Sequence, residues 1–137
     1  MKRVVVIFII LLTPFLTLAG TDNAEDLAVQ AAKTWLALVD VGAYGQSWEK
    51  TAAYFKGAVK KTRWNQTATA VRNPLGAVVS RSLKSATYLT SLPGAPDGKY
   101  VVIQFSTSFQ NKAAATETIT SMLDKNGKWR VSGYYIK

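Results

Sequence analysis

The chain has 137 residues, no cysteine and no histidine, and carries 17 Lys and Arg against 8 Asp and Glu, a formal net charge of +9. Those absences exclude disulfides, zinc sites built from Cys and His, histidine-dependent triads and the usual general base near neutrality. The positive surplus favours anionic partners, and nothing in the composition implies a metal or a cofactor.

At the N-terminus, Lys2 and Arg3 precede an apolar run, Val4 to Leu12, which continues through Thr13-Pro14 to Leu18 and ends in Ala19-Gly20. A positive n-region, a short apolar core and a small-residue exit make a secretory signal peptide. The run is shorter than the roughly 20 apolar residues of a spanning helix, and Pro14 interrupts it. Residues 1–19 are therefore expected to be removed near Ala19, delivering 20–137 as one α+β domain to the periplasm or the medium. The rival expectation is an uncleaved anchor that holds a subunit of an envelope complex. With no cysteine, lipid attachment of the lipoprotein kind is excluded.

From Ala24 to about Tyr44, Leu27, Ala31, Trp35, Leu38 and Val39 recur at three- and four-residue steps, which predicts an amphipathic helix. Gly42 and Gly45 are its candidate terminators. Ser47 then reads as the cap of a second helix over 48–56, with Trp48, Ala52 and Phe55 on one side. Residues 57–72 predict a third short helix or two turns, and Asn73-Pro74-Leu75-Gly76 a turn.

After that turn the period changes from helical to alternating. Strands are predicted over 78–92, 99–109, 114–123 and 128–136, separated by Pro93-Gly94-Ala95-Pro96-Asp97-Gly98 and by Asp124-Lys125-Asn126-Gly127. Helices first and strands later predict α+β: N-terminal helices packed on a curved, four-stranded antiparallel sheet.

Several blocks carry a resemblance. They are Trp35 to Tyr44, Ser47-Trp48, Arg72 to Gly76, Ser80-Arg81, Leu92 to Tyr100 and Lys128 to Tyr134. In this order they resemble the exported bacterial family catalogued as domain of unknown function 4019, which implies no activity. The order of helices before sheet also resembles the nuclear-transport-factor-2-like and cystatin-like cone, in which a bent sheet wraps around a long helix. That likeness implies a pocket and no reaction.

Candidate site residues follow from chemistry. Trp48, Tyr54, Trp64 and Tyr134 either line a pocket or fill the core, whereas Trp35, Phe105 and Trp129 read as core. Glu117 shares strand parity with Ile119 and Leu123 and so points inward. A buried glutamate needs a partner, and Arg81 is the candidate. Such a pair would orient a polar ligand or serve structure alone. Between Lys50 and Pro96 there is no acid, and Lys56, Lys60, Lys61, Arg63 and Lys84 offer an anionic-surface contact or simply a solvated basic face.

Ser47-Trp48-Glu49-Lys50 matches the S-x-x-K spacing of serine acyltransferases, but the companion motifs are missing and the serine is better explained as a cap. Asn65-Gln66-Thr67 is a formal glycosylation acceptor, expected to be without consequence in a chain that resembles a bacterial family, and no nucleic-acid motif accompanies the basic block. No catalytic and no metal residue is assigned. The expected function is a non-enzymatic exported binding module for a small molecule or an anionic envelope component. The alternative is a small cone-fold enzyme that uses Glu117 as base and Arg81 as electrostatic helper, with burial raising the pKa of the base.

Overall fold

The computed structural model describes residues 21–137, so the expected leader lies outside the described residues. Four helices lead: α1 (Thr21–Asp40), α2 (Tyr44–Glu49), α3 (Ala53–Ala58) and α4 (Lys61–Arg72). A 3-10 turn at Asn73–Leu75 then passes the chain to β1 (Val78–Leu89), β2 (Tyr100–Phe109), β3 (Lys112–Leu123) and β4 (Trp129–Ile136). The strands pair as neighbours in the order β1-β2-β3-β4, each antiparallel to the next. This is the α+β arrangement expected from helices followed by strands. None of the described helices is long and apolar enough to cross a membrane.

The first helix ends earlier than its periodicity predicts. Gly42 adopts φ +76°; its N–H bonds Val39 O at 3.0 Å, and the Ala43 N–H reaches back to Leu38 O at 2.9 Å. That pair of bonds is a Schellman cap, whose left-handed position suits glycine. Val41 is thereby left 78% exposed. The buried stripe also differs from the predicted one. It runs Ala28, Val29, Ala32, Trp35, Leu36 and Val39, while Leu27 is half exposed. Ala28 and Ala32 keep the contact face slim, which lets the helix axis approach the sheet closely.

The predicted second helix over 48–56 is broken. The Ala52 N–H donates to Val131 O of β4 at 2.8 Å, and the Thr51 hydroxyl returns to Trp48 O at 2.6 Å. Backbone pairing with the sheet edge thus outcompetes one turn of helix. Asp124, from the β3–β4 turn, accepts the Ala53 N–H at 3.1 Å and so satisfies an orphan donor at the start of α3. Ser47 is not a cap: it lies inside α2, its hydroxyl donating to Tyr44 O at 2.7 Å.

Alternation places Val101, Ile103, Phe105, Thr107 and Phe109 of β2 inward. Val101, Ile103 and Phe105 meet Ile119 and Val131 and the α1 stripe, which together form the core. Register shifts interrupt the β1–β2 ladder between Leu83 and Ser85, the β2–β3 ladder between Thr107 and Phe109, and the β3–β4 ladder between Thr120 and Ser121. Bulges of this kind bend a strand and re-aim its side chains. The outer face carries Ser80, Ser82, Gln104, Ser106 and Thr116, the wet side that alternation predicts for a one-sided sheet.

Asp124 is held below the usual carboxylate range. Burial pushes its pKa up, but the Ala53 and Lys125 N–H groups and the neighbouring Arg130 outweigh that push. Replacement of Asp124 by Ala is expected to cost about 1 kcal/mol, as loss of a helix cap does. Urea unfolding at pH 7 measures this. The difference from wild type should shrink as pH falls below about 4 and the native carboxyl protonates.

Candidate functional site

The inner face of the sheet carries charge where apolar packing would be expected. Glu117 on β3 is fully buried. Its Oε1 accepts from Arg81 Nε at 2.7 Å and from the Thr107 hydroxyl at 2.5 Å. Its Oε2 accepts from Arg81 Nη2 at 3.2 Å and from the Tyr134 hydroxyl. Strand register explains the convergence. Arg81 lies directly opposite Thr107, Glu117 stands opposite Phe105 and so diagonal to Thr107, and the long Arg81 side chain reaches it across β2.

Arg81 then extends the network to α1. Its Nη1 and Nη2 donate to Asp40 Oδ2 at 2.7 Å and Oδ1 at 3.0 Å. Asp40 Oδ1 also accepts from Arg72 Nη2 at 2.8 Å. The chain of charges Arg72–Asp40–Arg81–Glu117 therefore alternates in sign and sums to zero. A buried cluster tolerates charge only on such terms, because an unpaired ion out of water costs several kcal/mol. Asp40 also sits in the last turn of α1, where the helix dipole disfavours an anion. Burial raises its pKa as well. The Arg81 and Arg72 bonds outweigh both and hold it below the usual carboxylate range. Burial likewise opposes the charge on Arg81, yet Asp40 and Glu117 make it more firmly protonated than usual. The Tyr134 phenol is pushed well up, by burial first and by the adjacent Glu117 charge second.

The network decides one chemical question. An ionised carboxylate has about four acceptor positions, and Arg81 (twice), Thr107 and Tyr134 fill those of Glu117. A general base must have an acceptor within reach of the substrate proton. Glu117 offers none in this arrangement.

Beside the network lies an aromatic sector. Trp35 packs on Trp64 at 5.7 Å and edge-on to Tyr134 at 5.3 Å, and Phe55 meets Trp64 edge-on at 5.6 Å. The buried Ser47 ties the two tryptophans together. Its carbonyl accepts from Trp35 Nε1 and its hydroxyl from Trp64 Nε1, both at 2.9 Å. A serine so buried and engaged is not a nucleophile, which removes the S-x-x-K reading.

Between α4 and β4 a cavity of about 230 Å³ is lined by Trp64, Thr67, Ala68, Val71, Arg72, Tyr134, Tyr135 and Ile136. Its walls are mostly apolar. Arg72 is 5% exposed and stacks over the Phe109 ring at 5.1 Å. Only its Nη2 is bonded; Nε and Nη1 are buried without a partner among the described residues. On its other side Arg72 borders a second hollow, formed with Asp40, Val41, Tyr44 and Asn73.

The sequence-predicted residues are thus divided. Arg81, Glu117, Tyr134 and Trp64 converge on the network and its cavity. Trp48 and Tyr54 do not join them: Trp48 donates to Val59 O at 2.7 Å, and Tyr54 donates to Gly94 O at 3.1 Å from a partly exposed position. Trp129, read as core, is only partly buried against it. In the basic block Lys61 is paired with Glu49 at 2.7 Å, and Lys56 lies 5.8 Å from the Trp48 ring. Lys60, Arg63 and Lys84 are exposed, the last on β1 rather than among the helices.

Sequence reasoning assigns no site role to Arg72, Asp40 or Thr107. Signals existed for each. Trp64, Ala68 and Arg72 fall four residues apart on the buried face of α4, and Thr107 shares parity with Phe105 and Phe109. Asp40 at a helix C-terminus needs a compensating cation. Among the described residues no cluster of potential metal ligands occurs.

A family model described as a protein of unknown function, DUF4019, matches residues 31–134. No curated protein matches the chain.

Glu117→Gln is expected to cost about 3 kcal/mol in urea unfolding at pH 7, the loss typical of breaking a buried charge pair. For Tyr134 the native pKa is raised, so its contribution is complete below about pH 10, the ordinary tyrosine value. It is lost as pH rises further. Stability measured from pH 9 to 11 should therefore decline more steeply in wild type than in Tyr134→Phe.

Proposed function

The chain belongs to the DUF4019 family, and because that family carries no assigned activity, we propose from the chain's own residues that it is an exported, non-enzymatic binding module for a small or anionic ligand. Export is read from Lys2-Arg3, the apolar run to Leu18 and the small-residue exit at Ala19. A binding rather than catalytic role is supported by the absence of histidine and by the saturation of Glu117. The observation that carries the reading is Arg72: a buried guanidinium with two unused donors beside an apolar-walled cavity. Small-ligand sites combine apolar walls with a few placed polar groups, and unbonded buried donors are rare enough to need a reason. Lys60 and Arg63, exposed on the approach to and first turns of α4, add positive potential that draws anions toward this side of the molecule.

The test has two parts. In a bacterial host, the mass of the protein in the periplasmic fraction should correspond to a chain beginning at Gly20. A mass retaining residues 1–19 in the membrane fraction would overturn export as a released protein. The purified protein should be stabilised by small organic anions in a thermal-shift series. It should also be retained at low salt on lipopolysaccharide, anionic vesicles or cell-wall material, more weakly after Lys60→Glu with Arg63→Glu. Failure of both binding measurements would defeat the binding role.

A further inference from the structure

The helical stripe that periodicity predicts for α1 is only partly taken up by the core. Trp35 and Val39 are buried, but Ala31 and Leu38 are only partly buried, on a flank of the helix beside Ala28, Ala32 and Leu36. That flank opens on a groove of about 660 Å³. Trp129 and Val131 of β4 line it from the sheet side, and Lys50, just past α2, borders it together with Arg130. From Gln30 to Leu38 the groove follows α1 for about 12 Å, at 1.5 Å per residue.

The walls are mostly apolar, and no acidic side chain lines them. Both cations are open to solvent. Lys50 is exposed and makes no ion pair among the described residues, and the Arg130 side chain is 24% exposed. Arg130 Nε stands 3.8 Å from Asp124 Oδ2, too far for a hydrogen bond. Asp124 already accepts from the Ala53 and Lys125 N–H groups. Trp35, Trp48 and Trp64 each donate an indole N–H within the fold, whereas Trp129 makes no such bond among the described residues. An elongated apolar trough with accessible cations on its border suits a ligand that joins an extended apolar chain to an anionic head. An inorganic anion would leave the trough uncovered, and an uncharged chain would leave Lys50 and Arg130 without a counter-charge.

We propose that the groove between α1 and the start of β4 binds a single-chain anionic amphiphile as a monomer. The chain lies along Ala31, Leu38 and Trp129, and the head meets Lys50 and Arg130. The site is separate from the cavity between α4 and β4. It names a ligand class for the binding role proposed above and rests on that reading.

The test is calorimetric titration of the purified protein with decanoate below its micellar concentration, against octanoate, acetate and uncharged decanol. Decanoate is expected to bind at least fivefold more tightly than octanoate, since each buried methylene is worth about fourfold. It should also bind at least fivefold more tightly than decanol, and acetate should not displace it. Lys50→Gln with Arg130→Gln should weaken decanoate at least fivefold and leave decanol unchanged. In the wild-type protein the Trp129 indole N–H resonance should move on adding decanoate. That readout, with the chain-length comparison, stands even where the double variant does not fold. Equal affinity for decanoate and octanoate, or for decanoate and decanol, overturns the assignment, as does unchanged affinity in the double variant. Binding to anionic phospholipid vesicles without binding of monomeric decanoate also overturns it and makes this face a membrane contact instead. Any of these results alongside intact salt-sensitive retention leaves the binding role in place. Loss of that retention and of the thermal stabilisation would remove the role itself.

Discussion

A carboxylate with no exposure to solvent, Glu117, is the constraint around which the inner face of this fold is arranged. Ionised and unpaired, it would cost more than a domain of this size could tolerate, given a net stability of roughly 5–15 kcal/mol. It is tolerable only because β1 brings Arg81 to it, β2 brings Thr107 and β4 brings Tyr134. Arg81 in turn requires Asp40, and Asp40 requires Arg72, since a carboxylate at a helix C-terminus has the dipole against it. One buried charge thereby links α1, α4 and all four strands. Apolar packing alone would not demand that register.

The same linkage separates structure from binding. Each carboxylate oxygen of Glu117 is committed, so the pair that looks catalytic in isolation behaves as a structural tie. The uncommitted donors are displaced two links along, to Arg72. Because Arg72 ends α4 and lies over Phe109, its position is set by a helix, a strand and an ion pair together. A group held from three sides is pre-organised, and a pre-organised group needs little further ordering in any contact it makes. The aromatic sector joined through Ser47 stiffens the adjoining wall in the same way.

Much of the fold was legible because hydrophobic period is a strong local signal. The change from helical spacing to alternation after Gly76 fell close to where β1 begins, and the Asp124-Lys125-Asn126-Gly127 turn closes β3 onto β4 as its composition implies. The inward parity of Glu117 was legible for the same reason. Three things were not. The α1 stripe is displaced onto Ala28 and Ala32, while the larger Leu27 stays half exposed. The helix expected over 48–56 divides because the Ala52 N–H finds a sheet carbonyl. Ser47 looked like a cap but serves as an acceptor for two tryptophans from other elements.

By itself, then, the amino-acid order determined the α+β class, the placing of helices before four strands, the chemistries that missing Cys and His exclude, and the side of the sheet that Glu117 faces. All of these depend on composition or on neighbours within a few residues. Tertiary structure alone decided that Arg72 and Asp40 join the network, that Glu117 has no acceptor left, and that two donors remain beside a cavity. Those facts depend on distances between residues more than 30 positions apart, and such distances are set only when the register of four strands and the approach of two helices are fixed together.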